Sequence, residues 1–157
     1  MILNDDVLTA RGLKLNPAPA PVGSYVQCLQ SGNHLYLSGG VSINGDEAYY
    51  GKVGAEVDIP TAQRAAAAAI LNRLAVIQRE LDGFDLMVKI VAVNGFVNST
   101  PDFTDQAQVL NGASDLLVAL FGPEAAHTRT AVGVSALPLN VAVEISMIVE
   151  IETDYAG

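Results

Sequence analysis

From Val141 to Ile151 the chain alternates without a break: Val141, Val143, Ile145, Met147, Val149 and Ile151 are separated by Ala142, Glu144, Ser146, Ile148 and Glu150. Successive side chains of a strand point to opposite faces, so this pattern predicts one long strand, Val141 to Glu152, with a wholly apolar face. Such a strand cannot stand alone. It is half-buried, with helices covering its apolar side.

The rest of the chain supplies the other strands and the helices. Tyr25 to Leu29 and His34 to Ser38 are rich in aromatic, β-branched and leucine residues around Ser31-Gly32-Asn33, which reads as a hairpin whose second strand Gly39-Gly40 ends. Asp58 as cap and Pro60 in the first turn announce a helix running to Asp82-Gly83. Ala62, Ala66, Ala69, Ile70, Leu74, Ile77 and Leu81 form its apolar face at spacings of three and four. Met87 to Val97 reads as a strand in which Gly95 marks a bend or a close backbone approach. A second helix is predicted from Asp102 to Phe121, with Val109, Ala113, Leu116, Leu117 and Leu120 inward, and a strand from Arg129 to Ala136 precedes the last one. The order β-β-loop-α-β-α-β-β implies an α/β (α+β) domain whose two helices cover one face of a mixed sheet. Its other face, read as Glu144 among small residues, is left open for another subunit. Residues 1–21, with Asn16-Pro17-Ala18-Pro19-Ala20-Pro21, read as an extended arm ahead of a single domain over 22–157.

Charge and motifs narrow the function. Seventeen acids against eight bases give a net charge of −9, which repels nucleic-acid phosphates and anionic membrane surfaces. The lone Cys28 cannot form an intrachain disulfide. His34 and His127 have no metal-type spacing, so no metal site is expected. No dinucleotide, P-loop or nucleophile-elbow motif is present, and no organic cofactor is implied. The acidic amino terminus and the lack of a long apolar run predict a cytoplasmic protein that neither enters nor spans a membrane.

One constellation stands out in the last third. Arg129 shares a strand face with Ala131, Gly133 and Ser135, and Glu144 stands between Ala142 and Ser146, each a single charge beside small neighbours. Pattern alone leaves two roles open for each, a solvated surface charge or a ligand contact, and Tyr25 alone reads more readily as core. If the last two strands formed a hairpin around Leu137 to Asn140, Arg129 would lie well beyond the partner of Glu144.

Four separated segments carry a resemblance. Gly23-Ser24-Tyr25-Val26-Gln27, Gly32-Asn33 through Leu37-Ser38-Gly39, Phe96-Val97-Asn98 through Asp102-Phe103, and Arg129-Thr130-Ala131-Val132-Gly133-Val134 with Leu137-Pro138 and Val143-Glu144-Ile145 occur in order. Over roughly residues 22–152 the chain resembles the Rid family, the reactive-intermediate deaminases also known as RidA/YjgF and as L-PSP endoribonucleases. The resemblance implies a chorismate-mutase-like fold and a homotrimer whose sheets form a central barrel, with small-carboxylate ligands bound between subunits. It implies hydrolysis of 2-imino acids, formed from enamines, to 2-keto acids and ammonia, without cofactor.

By the same resemblance Arg129 binds the substrate carboxylate and Glu144 orients or activates water. Tyr25, in the same cleft, is the third catalytic residue the resemblance implies, Ser38 and Gly39 bind the substrate there, and Asn111 is the helix asparagine that contacts the ligand. Gly40 stands where deaminases commonly carry Gln, Ser24 replaces a Pro and Ser146 replaces a frequent second Glu, which marks a divergent branch. A carboxylate-binding or chaperone-like trimer without chemistry, and an endoribonuclease, are the competing functions.

Overall fold

The computed structural model describes residues 1–153. In chain order its elements are α1 (Asp5–Ala10), β1 (Cys28–Ser31), β2 (His34–Val41), β3 (Ile43–Asn44), β4 (Glu47–Ala48), α2 (Ile59–Leu81), β5 (Met87–Asn98), α3 (Gln106–Phe121), β6 (Thr128–Val134) and β7 (Val143–Ile151). Five strands form one mixed sheet in the order β1-β2-β7-β5-β6, and β3 and β4 pair as a separate two-stranded ribbon.

The long alternating strand is β7, at the centre of the sheet. Val143, Ile145, Met147, Val149 and Ile151 are all buried in the core formed with α2 and α3. Its neighbours β2 and β5 both run antiparallel to it. β6 pairs in parallel with β5. The last two strands do not form a hairpin: β5 lies between them, because the α3 crossover returns the chain parallel to β5 on its far edge.

The helices start and stop for local reasons. The Asp58 carboxylate accepts a hydrogen bond from the Thr61 amide (2.9 Å), closing the first turn of α2 beside Pro60. Asp82, rather than Gly83, takes the left-handed conformation that ends it (φ 53°, ψ 37°). The second helix begins at Gln106, four residues later than its sequence pattern suggests, after a turn in which the Phe103 amide donates to the Thr100 carbonyl.

Three other expectations are corrected. The arm is not wholly extended: α1 places Leu8 in the core, and the Asn4 amide donates to the Leu120 carbonyl at the end of α3. β2 does not end at Gly39-Gly40 but passes through them to Val41, with a register shift against β7 between Leu37 and Gly40. The sheet face away from the helices is not merely small and acidic. Tyr36 and Val132 point there, well exposed, in register with Ile148 and Phe96 respectively. Residues 154–157 of the expected domain lie outside the described residues.

α2 and α3 touch backbone to backbone. A Cβ at Gly112 would lie 2.1 Å from the Gln63 carbonyl oxygen, and no side-chain rotation can relieve that contact. Gly112→Ala is therefore expected to push the helices apart and destabilise the fold by about 1–3 kcal/mol. Each kcal/mol is worth about 2–4 °C of melting temperature in a chain of this size. An unchanged thermal midpoint would show that the helices are not in this contact.

Candidate functional site

A cavity opens where β1 leaves β2. β1 pairs with β2 only from His34 to Leu37, so the outer edge of β2 beyond Leu37 is not covered by a strand. The preceding segment stays tethered through Ser38, whose hydroxyl donates to the Val26 carbonyl (2.7 Å) and whose amide donates to the Gln27 carbonyl (3.0 Å). Between that segment, the bare edge and the Leu139 turn lies a cavity of about 410 Å³, into which Tyr25, Gln27, Gly39, Gly40, Arg73 and Glu144 all face.

The two glycines let charged side chains lie against the strand. A Cβ on Gly39 would come within 2.0 Å of Glu144 Oε1, and one on Gly40 within 2.1 Å of Arg73 Nε. The Gly-Gly pair that reads in sequence as a strand terminator thus makes room for a carboxylate and a guanidinium. The Glu144 carboxylate forms no hydrogen bond or ion pair among the described residues. Burial pushes its carboxyl above the usual range, and the charge of Arg73 partly opposes that rise.

Arg73 is 1% exposed, midway along α2. Its Nη1 donates to Gln27 Oε1 (2.9 Å) and to the Ser38 carbonyl (2.7 Å), while Nε donates to Asn72 Oδ1 (3.2 Å), which also accepts from Nη2. All these acceptors are neutral. Desolvation lowers the guanidinium to about 10, with Tyr25 and Glu144 the leading charges that hold it up.

Arg129 lies elsewhere, on edge strand β6 and on the helix side of the sheet. Its Nη1 donates to Asn111 Oδ1 (2.9 Å) and Ser114 Oγ (3.1 Å), and its Nη2 to the Ala107 carbonyl (3.2 Å). Ser114 Oγ is in turn 2.9 Å from His127 Nε2, and His127 Nδ1 is 2.7 Å from the Ala125 carbonyl. A carbonyl only accepts and a guanidinium only donates, so in neutral His127 Nδ1 carries the proton and the Ser114 hydroxyl donates to Nε2. The chain of bonds runs one way, from Arg129 to Ala125. It leaves the Nε–H and one Nη2–H of Arg129 without acceptors among the described residues, two donors on a side chain suited to holding a carboxylate at two points.

The structure thus divides the sequence-derived candidates into two groups. Tyr25, Gly39 and Glu144 meet in the cavity, with Ser38 behind it as a tether; Arg129 of β6 meets Asn111 of α3 on the opposite face of the sheet, with β7 and β5 between β6 and β2. Sequence reasoning missed Arg73, Gln27, Ser114 and His127. Arg73 was detectable: it falls three residues after Ile70 and four before Ile77, inside the apolar stripe of α2. Ser114 lies one turn from Asn111 on the same helix face. No group of residues that could hold a metal occurs among the described residues, and no helix there is long and apolar enough to cross a membrane.

A mixed sheet with both long helices on one face, and a cleft at the free edge of its second strand, defines an α+β fold of the YjgF type. The family model described as Endoribonuclease L-PSP matches residues 15–151. The chain belongs to this family, also called RidA/YjgF. It is 41% identical over 142 residues to protein TCP17 of Trypanosoma cruzi, covering 89% of each chain. It is 36% identical over 137 residues to the 2-iminobutanoate/2-iminopropanoate deaminase of Dermatophagoides farinae, covering 86% of this chain and 91% of that one. The crystal structure of protein Atu1372 from Agrobacterium tumefaciens superposes with a TM-score of 0.86 at 39% identity, covering 94% of this chain and 91% of the other.

Proposed function

We propose that the chain hydrolyses small 2-imino carboxylic acids to 2-keto acids and ammonia, as a homotrimer in which Arg129 of one subunit completes the Glu144 cavity of the next. The observation that carries the reading is the Glu144 carboxylate, unpaired and half-buried in a cavity of about 410 Å³. Similarity to an imine deaminase over most of both chains supports the same chemistry. The exposed aromatic and aliphatic side chains on the open sheet face support self-association, since apolar surface of that kind is normally covered. A net charge of −9 argues against cleavage of RNA by this chain, whatever the family's description.

The residues suit the reaction. Arg129 offers two free donors to the substrate carboxylate, which fixes the imine carbon over the Glu144 side of the cleft. Water adds to the carbon of the protonated imine as the C=N electron pair moves to nitrogen, and Glu144 accepts the proton that water loses. Glu144 returns that proton to the amine nitrogen. The C–N bond then breaks as the hydroxyl becomes a carbonyl, and the hydroxyl proton leaves by way of Glu144. Water and the iminium acid become keto acid and ammonium, with no redox change. A carboxyl held above its ordinary range by burial is a better base for this task than an exposed one.

The test is a panel of imino acids generated in the assay cell by an amino-acid oxidase, with ammonia and keto-acid release followed against the spontaneous rate. Acceleration proportional to protein concentration is expected. Imine decay at the spontaneous rate across the panel would overturn the reading in favour of a non-catalytic carboxylate-binding protein.

A further inference from the structure

Resting on the deaminase reading of this cavity, we propose that Arg73 makes the site selective for imino acids with a second, distal carboxylate. Arg73 is the only cation facing the cavity, and it is a costly one, a guanidinium 1% exposed with no carboxylate within 4.0 Å among the described residues. Packing does not demand a charge there, because its neighbours along α2, Ile70, Leu74 and Ile77, are aliphatic. Gly40 is bare so that the guanidinium can lie under the strand edge and reach the cavity wall.

The donors left over match a carboxylate. One N–H of Arg73 Nη2 and the Gln27 amide nitrogen have no acceptor among the described residues, and the Gln27 oxygen is already held by Arg73, so its amide nitrogen is fixed as a donor beside the guanidinium. Charge points the same way. No carboxylate among the described residues pairs with Arg73, so a distal substrate carboxylate gives the buried guanidinium a charged partner, in the imino acid and in its keto-acid product alike. A substrate with an aliphatic side chain leaves the guanidinium without one.

The experiment compares two product acids of equal carbon number, 2-oxoglutarate and 2-oxopentanoate, by titration calorimetry on the intact oligomer. The wild-type protein is expected to bind 2-oxoglutarate about tenfold or more tightly, the effect of one charge-assisted hydrogen bond. Arg73→Met, close in volume, is expected to bring the ratio to about one, and Arg73→Lys to restore part of it. Equal or weaker binding of 2-oxoglutarate by the wild type, no binding of either acid, or a ratio unchanged in folded Arg73→Met would each overturn the proposal and leave Arg73 as a structural clamp on Gln27 and Ser38. The wild-type ratio decides the matter even if the variants fail to fold. The deaminase reading fails separately: a diacid preference without ammonia release from any imine removes the chemistry and keeps the selectivity, whereas ammonia release with a preference for 2-oxopentanoate does the reverse.

Discussion

Glu144→Gln is expected to slow imine hydrolysis by about 10² to 10⁴, the usual worth of a positioned general base. The amide keeps the shape of the carboxylate and fits the space Gly39 leaves for it, but it cannot take a proton from water. The wild-type rate should fall as pH drops through the carboxyl's raised value, because the base must be ionised. That acid limb therefore lies above the ordinary glutamate range, and it should vanish in Glu144→Gln. Stability separates catalysis from a structural role. A carboxyl whose value is higher folded than unfolded binds protons more tightly in the folded state, so stability declines as pH rises from the unfolded value through the folded one. Glu144→Gln removes that decline, and the variant should melt at or above the wild-type temperature at neutral pH. Turnover unchanged across the pH profile would return Glu144 to the role of an ordinary sheet residue.

The parts of the fold legible in the sequence are those whose local and tertiary preferences agree. β7 declares itself because one face is buried along its whole length, and α2 because the Asp58 cap, Pro60 and the apolar stripe coincide. α1 is too short to show a helical period, and Leu8 is buried only because the end of α3 is there to receive it. β2 was cut short because Gly39-Gly40 carries no strand preference. Its strand is fixed by pairing with β7, and its glycines by the side chains lying against them.

The site was legible to a similar extent. The family resemblance picked out Tyr25, Glu144 and Arg129, each visible as a polar residue in an apolar or small-residue setting. It could not show that Glu144 and Arg129 occupy opposite faces of one chain's sheet, which depends on the order in which strands pair. Arg73 escaped notice because a charge on a helix usually faces water; its place in the apolar stripe of α2 was the signal to the contrary, and the packing of α2 beneath β2 buries it.

Arg129→Ala is expected to weaken binding of the imino acid, read in kcat/KM, by about ten- to a hundredfold or more, the equivalent of the 1.5–3 kcal/mol typical of a hydrogen bond to a charged group. Asn111, Ser114 and the Ala107 carbonyl hold the guanidinium against α3, so its two remaining donors are presented in a fixed direction rather than searched for by a mobile side chain. Arg129→Lys should recover only part of the loss. An ammonium restores the charge but cannot bond Asn111, Ser114 and the ligand in one plane, and the imine carbon is then held less firmly over Glu144. The one-way chain through Ser114 to His127 gives the prediction a second arm. Ser114→Ala leaves the charge of Arg129 intact but removes one of its anchors, so it should raise KM by less than Arg129→Ala does. The proposed homotrimer, followed by light scattering, should be unaffected in all three variants, since the guanidinium is committed to α3 of its own subunit and to the ligand. Dissociation of the oligomer in Arg129→Ala, or imine hydrolysis at the wild-type rate, would make Arg129 a structural contact and leave the substrate carboxylate to Arg73.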